Sequence, residues 1–166
     1  MELSPEFSPA YDAMAEIYKA QNRYEEALRA YHRAIEAAPE EAIYHKKIGN
    51  LCRELGHTEK AMAHFRKMIE LRPTSGAAHN ELGRLYEEQG EYDQALEEYL
   101  RATQADPQNG ESFSNAGLLY KQLKQYPEAV SMFREAVRLQ PNNAAAYKQL
   151  AATSALAWVN GALQTA

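Results

Sequence analysis

Cysteine is nearly absent: Cys52 is the only one in 166 residues, so the chain cannot close an internal disulfide, and Cys52 is expected to be a buried packing residue. Basic residues are the minority. The 18 Lys and Arg against 23 Asp and Glu leave a net charge of -5 and a sequence pI near 5.6. That balance argues against nucleic acid as a partner, which needs an excess of cations on one face. Catalytic signatures are missing as well: there is no glycine-rich phosphate loop, no His-Glu-x-x-His, no cysteine pair and no Ser or Cys in a nucleophile setting. No enzymatic activity, no metal and no cofactor are therefore expected. The most apolar stretch, 149–166, is too short for a membrane span and is interrupted by Gln149, Thr153, Ser154, Asn160 and Gln164.

What the chain does have is a period. Pro5, Pro39, Pro73, Pro107 and Pro141 stand 34 residues apart, and units cut at 8–41, 42–75, 76–109 and 110–143 repeat the same residue types. The fourth place holds Tyr11, His45, His79 and Phe113; the seventh, Met14, Ile48, Leu82 and Ala116; the eighth, Ala15, Gly49, Gly83 and Gly117. At the eleventh come Tyr18, Cys52, Tyr86 and Tyr120. Later in each unit Ala27, Ala61, Ala95 and Ala129 precede Tyr31, Phe65, Tyr99 and Phe133, then Ala34, Met68, Ala102 and Ala136. Places 4, 7, 8 and 11 share one helix face and places 20, 24 and 27 another, so each unit reads as a helical hairpin. Small residues at places 8 and 20 let the two backbones approach, and the aromatic at place 24 fills what remains. Turn signals at Gln21-Asn22, Gly56, Gly90 and Lys124-Gln125 part the two helices, and the proline ends each unit. The pattern resembles the tetratricopeptide repeat over nearly the whole chain. The resemblance implies an all-α fold, a right-handed α-solenoid of stacked antiparallel helix pairs.

Both ends carry further expectations. Residues 1–7 read as the tail of a preceding repeat, with Pro5 in the proline column. Residues 144–166 begin a fifth unit in register, as a capping or partial repeat helix, then lose the pattern. No charged side chain stands after Lys148, and Asn160-Gly161 reads as a helix stop. Solenoid ends normally turn a polar face to water. Leu156, Trp158 and Val159 are therefore candidates for self-association into a homo-oligomer, against the alternative of a cap followed by a frayed remnant.

Function falls to the faces left free. The resemblance implies that first helices line a concave groove, where Asp12, Glu16, Lys19, Lys46, Asn50, Arg53, Asn80, Arg84, Glu87, Glu88, Glu111, Ser114, Leu118, Lys121, Gln122 and Lys148 would look inward. Lys46, Asn50, Arg53, Asn80, Arg84, Ser114, Lys121 and Lys148 are the candidate peptide-binding residues. Their basic, amide-rich middle suits an acidic or carboxylate-bearing peptide. The carboxylate clamp of the chaperone-tail binders in that family is not matched: Lys46 and Asn50 fit it, but Glu81, Glu111 and Asn115 stand at its other three places, and two carboxylates would repel the terminal carboxylate it holds. Nor does an asparagine ladder run through place 6, where Ala13, Lys47 and Glu81 precede Asn115. The expectation is a non-catalytic scaffold holding a partner's peptide, part of a larger array. Its alternative is the docking arm of a larger enzyme, for example a glycosyltransferase, whose catalytic domain lies elsewhere. The sequence does not set the compartment; a cytoplasmic one is favoured.

Overall fold

The computed structural model describes residues 7–164; the expectation that residues 1–7 close a preceding repeat therefore lies, except for Phe7, outside the described residues. These hold nine helices and no strand: α1 Ser8–Ala20, α2 Tyr24–Ala37, α3 Ala42–Glu54, α4 Thr58–Leu71, α5 Gly76–Glu88, α6 Tyr92–Ala105, α7 Gly110–Gln122, α8 Tyr126–Leu139 and α9 Ala144–Gln164. One compact unit ends at Pro73 and a second begins at Thr74. The first consists of the hairpins α1–α2 and α3–α4. The second has the hairpins α5–α6 and α7–α8, with α9 against α8.

The same two devices shape every hairpin. Within it, the first helix ends in a Schellman turn. At the first such turn Arg23 N–H donates to Tyr18 O at 2.9 Å and Asn22 N–H to Lys19 O at 3.0 Å; the equivalent pairs recur at His57, Glu91 and Gln125. The turn requires a left-handed residue, supplied by Asn22 (φ 59°), Gly56 (74°), Gly90 (79°) and Lys124 (62°). At the end of the hairpin, the residue before each proline is forced out of the helical region. Ala38, Arg72, Asp106 and Gln140 accordingly sit at φ -141°, -138°, -134° and -128°.

The packing between paired helices follows from size. Ala27, Ala61, Ala95 and Ala129 are fully buried, as are Phe65 and Phe133, with Tyr31 and Tyr99 at 2% exposure. Opposite those rings stand glycines. A Cβ at Gly83 would lie 2.7 Å from Tyr99, at Gly49 2.8 Å from Phe65, and at Gly117 2.9 Å from Phe133. Cys52 is buried, as expected, and burial pushes its thiol up.

The last helix departs from expectation. It does not stop at Asn160-Gly161 but runs through both to Gln164. Gly161 has no positive φ, and without one the Asn-Gly pair terminates nothing; the surrounding Ala and Leu are strong helix formers. The first half of α9 buries Ala146 and Thr153, whereas Leu156, Trp158 and Val159 are exposed, Trp158 to 76%. No helix of the described residues is long and apolar enough to cross a membrane.

Candidate functional site

The first helices of the hairpins carry the candidate residues, and in each unit many of them are already bonded to a neighbouring first helix. In the first unit Lys47 reaches from α3 to α1. Its Nζ donates to Asp12 and, at 2.9 Å, to Glu16, which also accepts from Tyr31 Oη at 2.8 Å. The Lys47 bond, before all else, holds the Glu16 carboxyl below its ordinary value. Burial works against the charge of Lys47, but its two carboxylate bonds outweigh that and raise it. Lys19 pairs with Glu54 at 3.0 Å, and Tyr44 Oη donates to the buried Ser8 Oγ at 3.1 Å. Asp12, Glu16 and Lys19 thus clasp α1 to α3.

Lys46, Asn50 and Arg53 stand on α3 at positions that share one helix face, all half-buried. Lys46 has no hydrogen bond or ion pair among the described residues. Asn50 has a different deficiency, because its Oδ1 is buried and accepts nothing. A buried acceptor left unmet costs free energy until a donor arrives.

The second unit clasps its first helices through amides. Asn80, expected in the groove, is buried instead: its Nδ2 donates to Ser112 Oγ at 2.8 Å, while its Oδ1 accepts from Asn115 Nδ2 at 3.4 Å. Both ends of the amide are used, so Asn80 pins α5 to α7 and is no peptide ligand. Lys121 Nζ donates to Gln149 Oε1 at 2.9 Å, joining α7 to α9. Arg84 is exposed and 3.9 Å from Glu81; Lys148 is exposed and Ser114 half-buried. An open depression of about 390 Å³ lies between α5 and α7, lined by Glu87, Leu118, Lys121 and Gln122. Leu118 is 43% exposed there, and Glu87 is fixed by accepting from Tyr99 Oη at 2.8 Å.

Place 4 holds His45 and His79, and each histidine bonds inside its own hairpin. The Nδ1 atoms of His45 and His64 are 3.0 Å apart, and His79 Nδ1 is 2.7 Å from Glu98 Oε2. Sequence reasoning missed both partners, since place 23 carries Ala30, His64, Glu98 and Met132 and shows no common residue type. It also missed the Lys47 clasp, although a lysine at place 6 following acids at places 5 and 9 of the preceding unit is a readable signal.

Comparison with known proteins agrees with this architecture. Models of the tetratricopeptide repeat match residues 13–76, 53–116 and 110–143. Among solved structures, the fold is similar to that of MamA (TM-score 0.75, 19% identity, 96% of this chain and 87% of that one). It is also similar to pilF of Pseudomonas aeruginosa (0.74, 24%, 89% and 68%). A third is YrrB, a repeat protein described as having an unusual peptide-binding site (0.66, 24%, 85% and 73%). No curated protein matches the chain. With the 34-residue period, the paired helices and matches that together run from residue 13 to 143, the chain belongs to the tetratricopeptide repeat family.

Proposed function

We propose that this protein is a non-catalytic scaffold that binds an acidic peptide segment along the first-helix faces. One observation carries the reading: on α3, the ammonium of Lys46, unpaired among the described residues, stands one helical turn from the orphaned buried acceptor of Asn50. A peptide supplies what both lack, a carboxylate for the lysine and a backbone N–H for the amide oxygen. Arg53 extends the stripe by a further turn. In the second unit the depression around Leu118 offers an apolar seat, with Lys121, Arg84, Ser114 and Lys148 on the same faces as polar contacts. The peptide-binding site named for YrrB is consistent with such use of the fold.

The test uses an array of acidic peptides probed with the wild-type chain and with K46A/N50A. Peptides bound by the wild type are expected to be lost on the double variant, with little change in Tm because half-buried and exposed polar substitutions here remove no intramolecular bond. An identical binding pattern for both proteins overturns the assignment. Exposed Leu156, Trp158 and Val159 on α9 supply the surface for self-association; sedimentation of the full chain against one ending at residue 154 is expected to show an oligomer reverting to monomer.

A further inference from the structure

The first unit gathers three of the chain's five histidines in one place. His45 comes from α3, His64 from α4 and His32 from α2. The ring centroids of His45 and His64 are 5.3 Å apart, and those of His32 and His64 5.9 Å. Packing explains only one of the three. Place 4 takes an aromatic-sized ring in the other hairpins, as at Tyr11 and Phe113, and His45 serves there. At place 23 the other repeats carry Ala30, Glu98 and Met132, and at place 25 Arg66, Leu100 and Arg134. Neither column asks for an imidazole.

The chemistry of the pair is informative. Burial, with the neighbouring charges of His45 and His32, pushes the His64 imidazole down to about 4; burial also lowers His45, with Lys67 adding to it and Glu70 opposing. Both rings are neutral at neutral pH, the form in which imidazole is a ligand. Their Nδ1 atoms point at each other at 3.0 Å. Two nitrogens bound to one tetrahedral cation at 2.0–2.1 Å are about 3.3 Å apart, so a small opening of the pair admits an ion between them. Among the described residues no three ligands already stand around one point. His32, exposed on α2 with its ring centroid 5.9 Å from that of His64, is the third imidazole of the group.

We propose that His45 and His64, with His32 as the third ligand, bind a late first-row divalent cation such as Zn²⁺, water filling the remaining position. In the empty pair one ring donates its Nδ1 proton to the other. On binding, that ring moves its proton to Nε2 by way of solvent, leaving both Nδ1 lone pairs for the metal. The inference is independent of peptide binding on the α3 stripe.

The experiment is a titration of the full chain with ZnCl₂ in a non-chelating buffer, read by calorimetry and by Tm, with Co²⁺ absorption as a report on geometry. Wild type is expected to bind one equivalent, to melt higher in about 1 mM Zn²⁺, and to give the intense visible bands of tetrahedral Co²⁺. The variant H45F/H64M puts in the pair that the fourth repeat already packs at these places, Phe113 and Met132, so it is expected to fold and to lose all three signals. It keeps His57, His79 and Glu98, so any metal held by those residues would persist in it. H32R, carrying the residue of repeats two and four, is expected to weaken binding by about tenfold or more. Absence of heat and Tm shift in wild type, or their persistence in H45F/H64M, overturns the site; unchanged affinity in H32R overturns the three-ligand assignment.

Discussion

The two units solve one problem with different chemistry. Each must hold successive first helices together while leaving their outer faces to solvent. The first uses charge: Lys47 bridges Asp12 and Glu16, and Lys19 meets Glu54. In the second the work falls to amides, with Asn80 between Ser112 and Asn115, and Gln149 accepting from the Lys121 ammonium. The ionic clasp is partly exposed, so salt screens it and acid protonates it. The Asn80–Ser112 bond is buried and uncharged, insensitive to both, and costly to break because its partners cannot turn to water. The contact from place 5 of one repeat to place 6 of the next, Asp12 to Lys47 in the first unit and Asn80 to Asn115 in the second, therefore fixes no particular chemistry.

The largest effect is expected where the two units agree. Every hairpin except the first requires a glycine against the place-24 ring, and the Gly83 contact with Tyr99 is the closest, at 2.7 Å for a new Cβ. Both Gly83 and Tyr99 are buried, leaving no room for relief. Gly83→Leu should cost on the order of 1 to 3 kcal/mol, or more if the helices separate, and circular dichroism should show the loss of helix at a lower temperature. An unchanged melting curve would mean that the helices are not packed through this contact. The first hairpin is the built-in contrast, because Ala15 already carries a Cβ beside Tyr31 and is fully buried.

Breaking the clasps one at a time separates the units. Asn80→Ala strands the fully buried Ser112 hydroxyl and should cost about 1–3 kcal/mol at any salt concentration. Lys47→Ala removes a half-exposed ammonium and should cost about 1 kcal/mol or less in dilute buffer, and less again in concentrated NaCl. The pH response carries a sign. Glu16 is held below its ordinary value of 4.5 by Lys47, so its contribution is complete above that pH and is lost as pH falls through the lowered value. His64 acts earlier: with its imidazole at about 4 in the fold against 6.5 when free, the unfolded chain takes up the proton first and stability declines from about pH 6.5 toward 4. Tm measured against pH should show both declines in wild type, only the histidine decline in K47A, and in H64M the Glu16 decline with the histidine decline reduced to the part that buried His45 keeps. A wild-type Tm that is flat from pH 7 to 5 would show that His64 titrates normally.

The fold was legible because its determinants recur. Ala at place 20 and a ring at place 24 appear four times, and each repetition supports the others; the place-15 turns show through Gly56 and Gly90 even where Asn22 and Lys124 stand instead. The binding faces were less legible, since a polar residue on a helix has the same appearance in sequence whether water or a neighbouring helix receives it. Asn80 was taken for a ligand although Ser112 uses it, and Asp12 and Glu16 were read as groove residues without Lys47. In each case the deciding partner lies more than 30 residues away and belongs to no column. The Asn160-Gly161 error has another origin: the pair permits a left-handed turn but does not impose one, and α9 keeps helical backbone through it.

The smallest expected effect tests the turns themselves. Four equivalent residues hold positive φ, yet only Gly56 and Gly90 do so without a side chain; Lys124, at 62°, has no such freedom. A left-handed residue with a Cβ carries about 1–2 kcal/mol of steric cost, whereas glycine gives back roughly 0.5–1 kcal/mol through the greater freedom of the unfolded chain. Lys124→Gly should therefore stabilise by about 0.5 kcal/mol, a rise in Tm of a few degrees at most. The reverse change sharpens the comparison. At Gly90 a Cβ would meet nothing within 4 Å, so Gly90→Lys isolates the backbone term and should lower Tm by a similar amount. If both substitutions move Tm in the same direction, the conformation at these places is not what the Schellman turn requires, and the side chains are acting through contacts of their own.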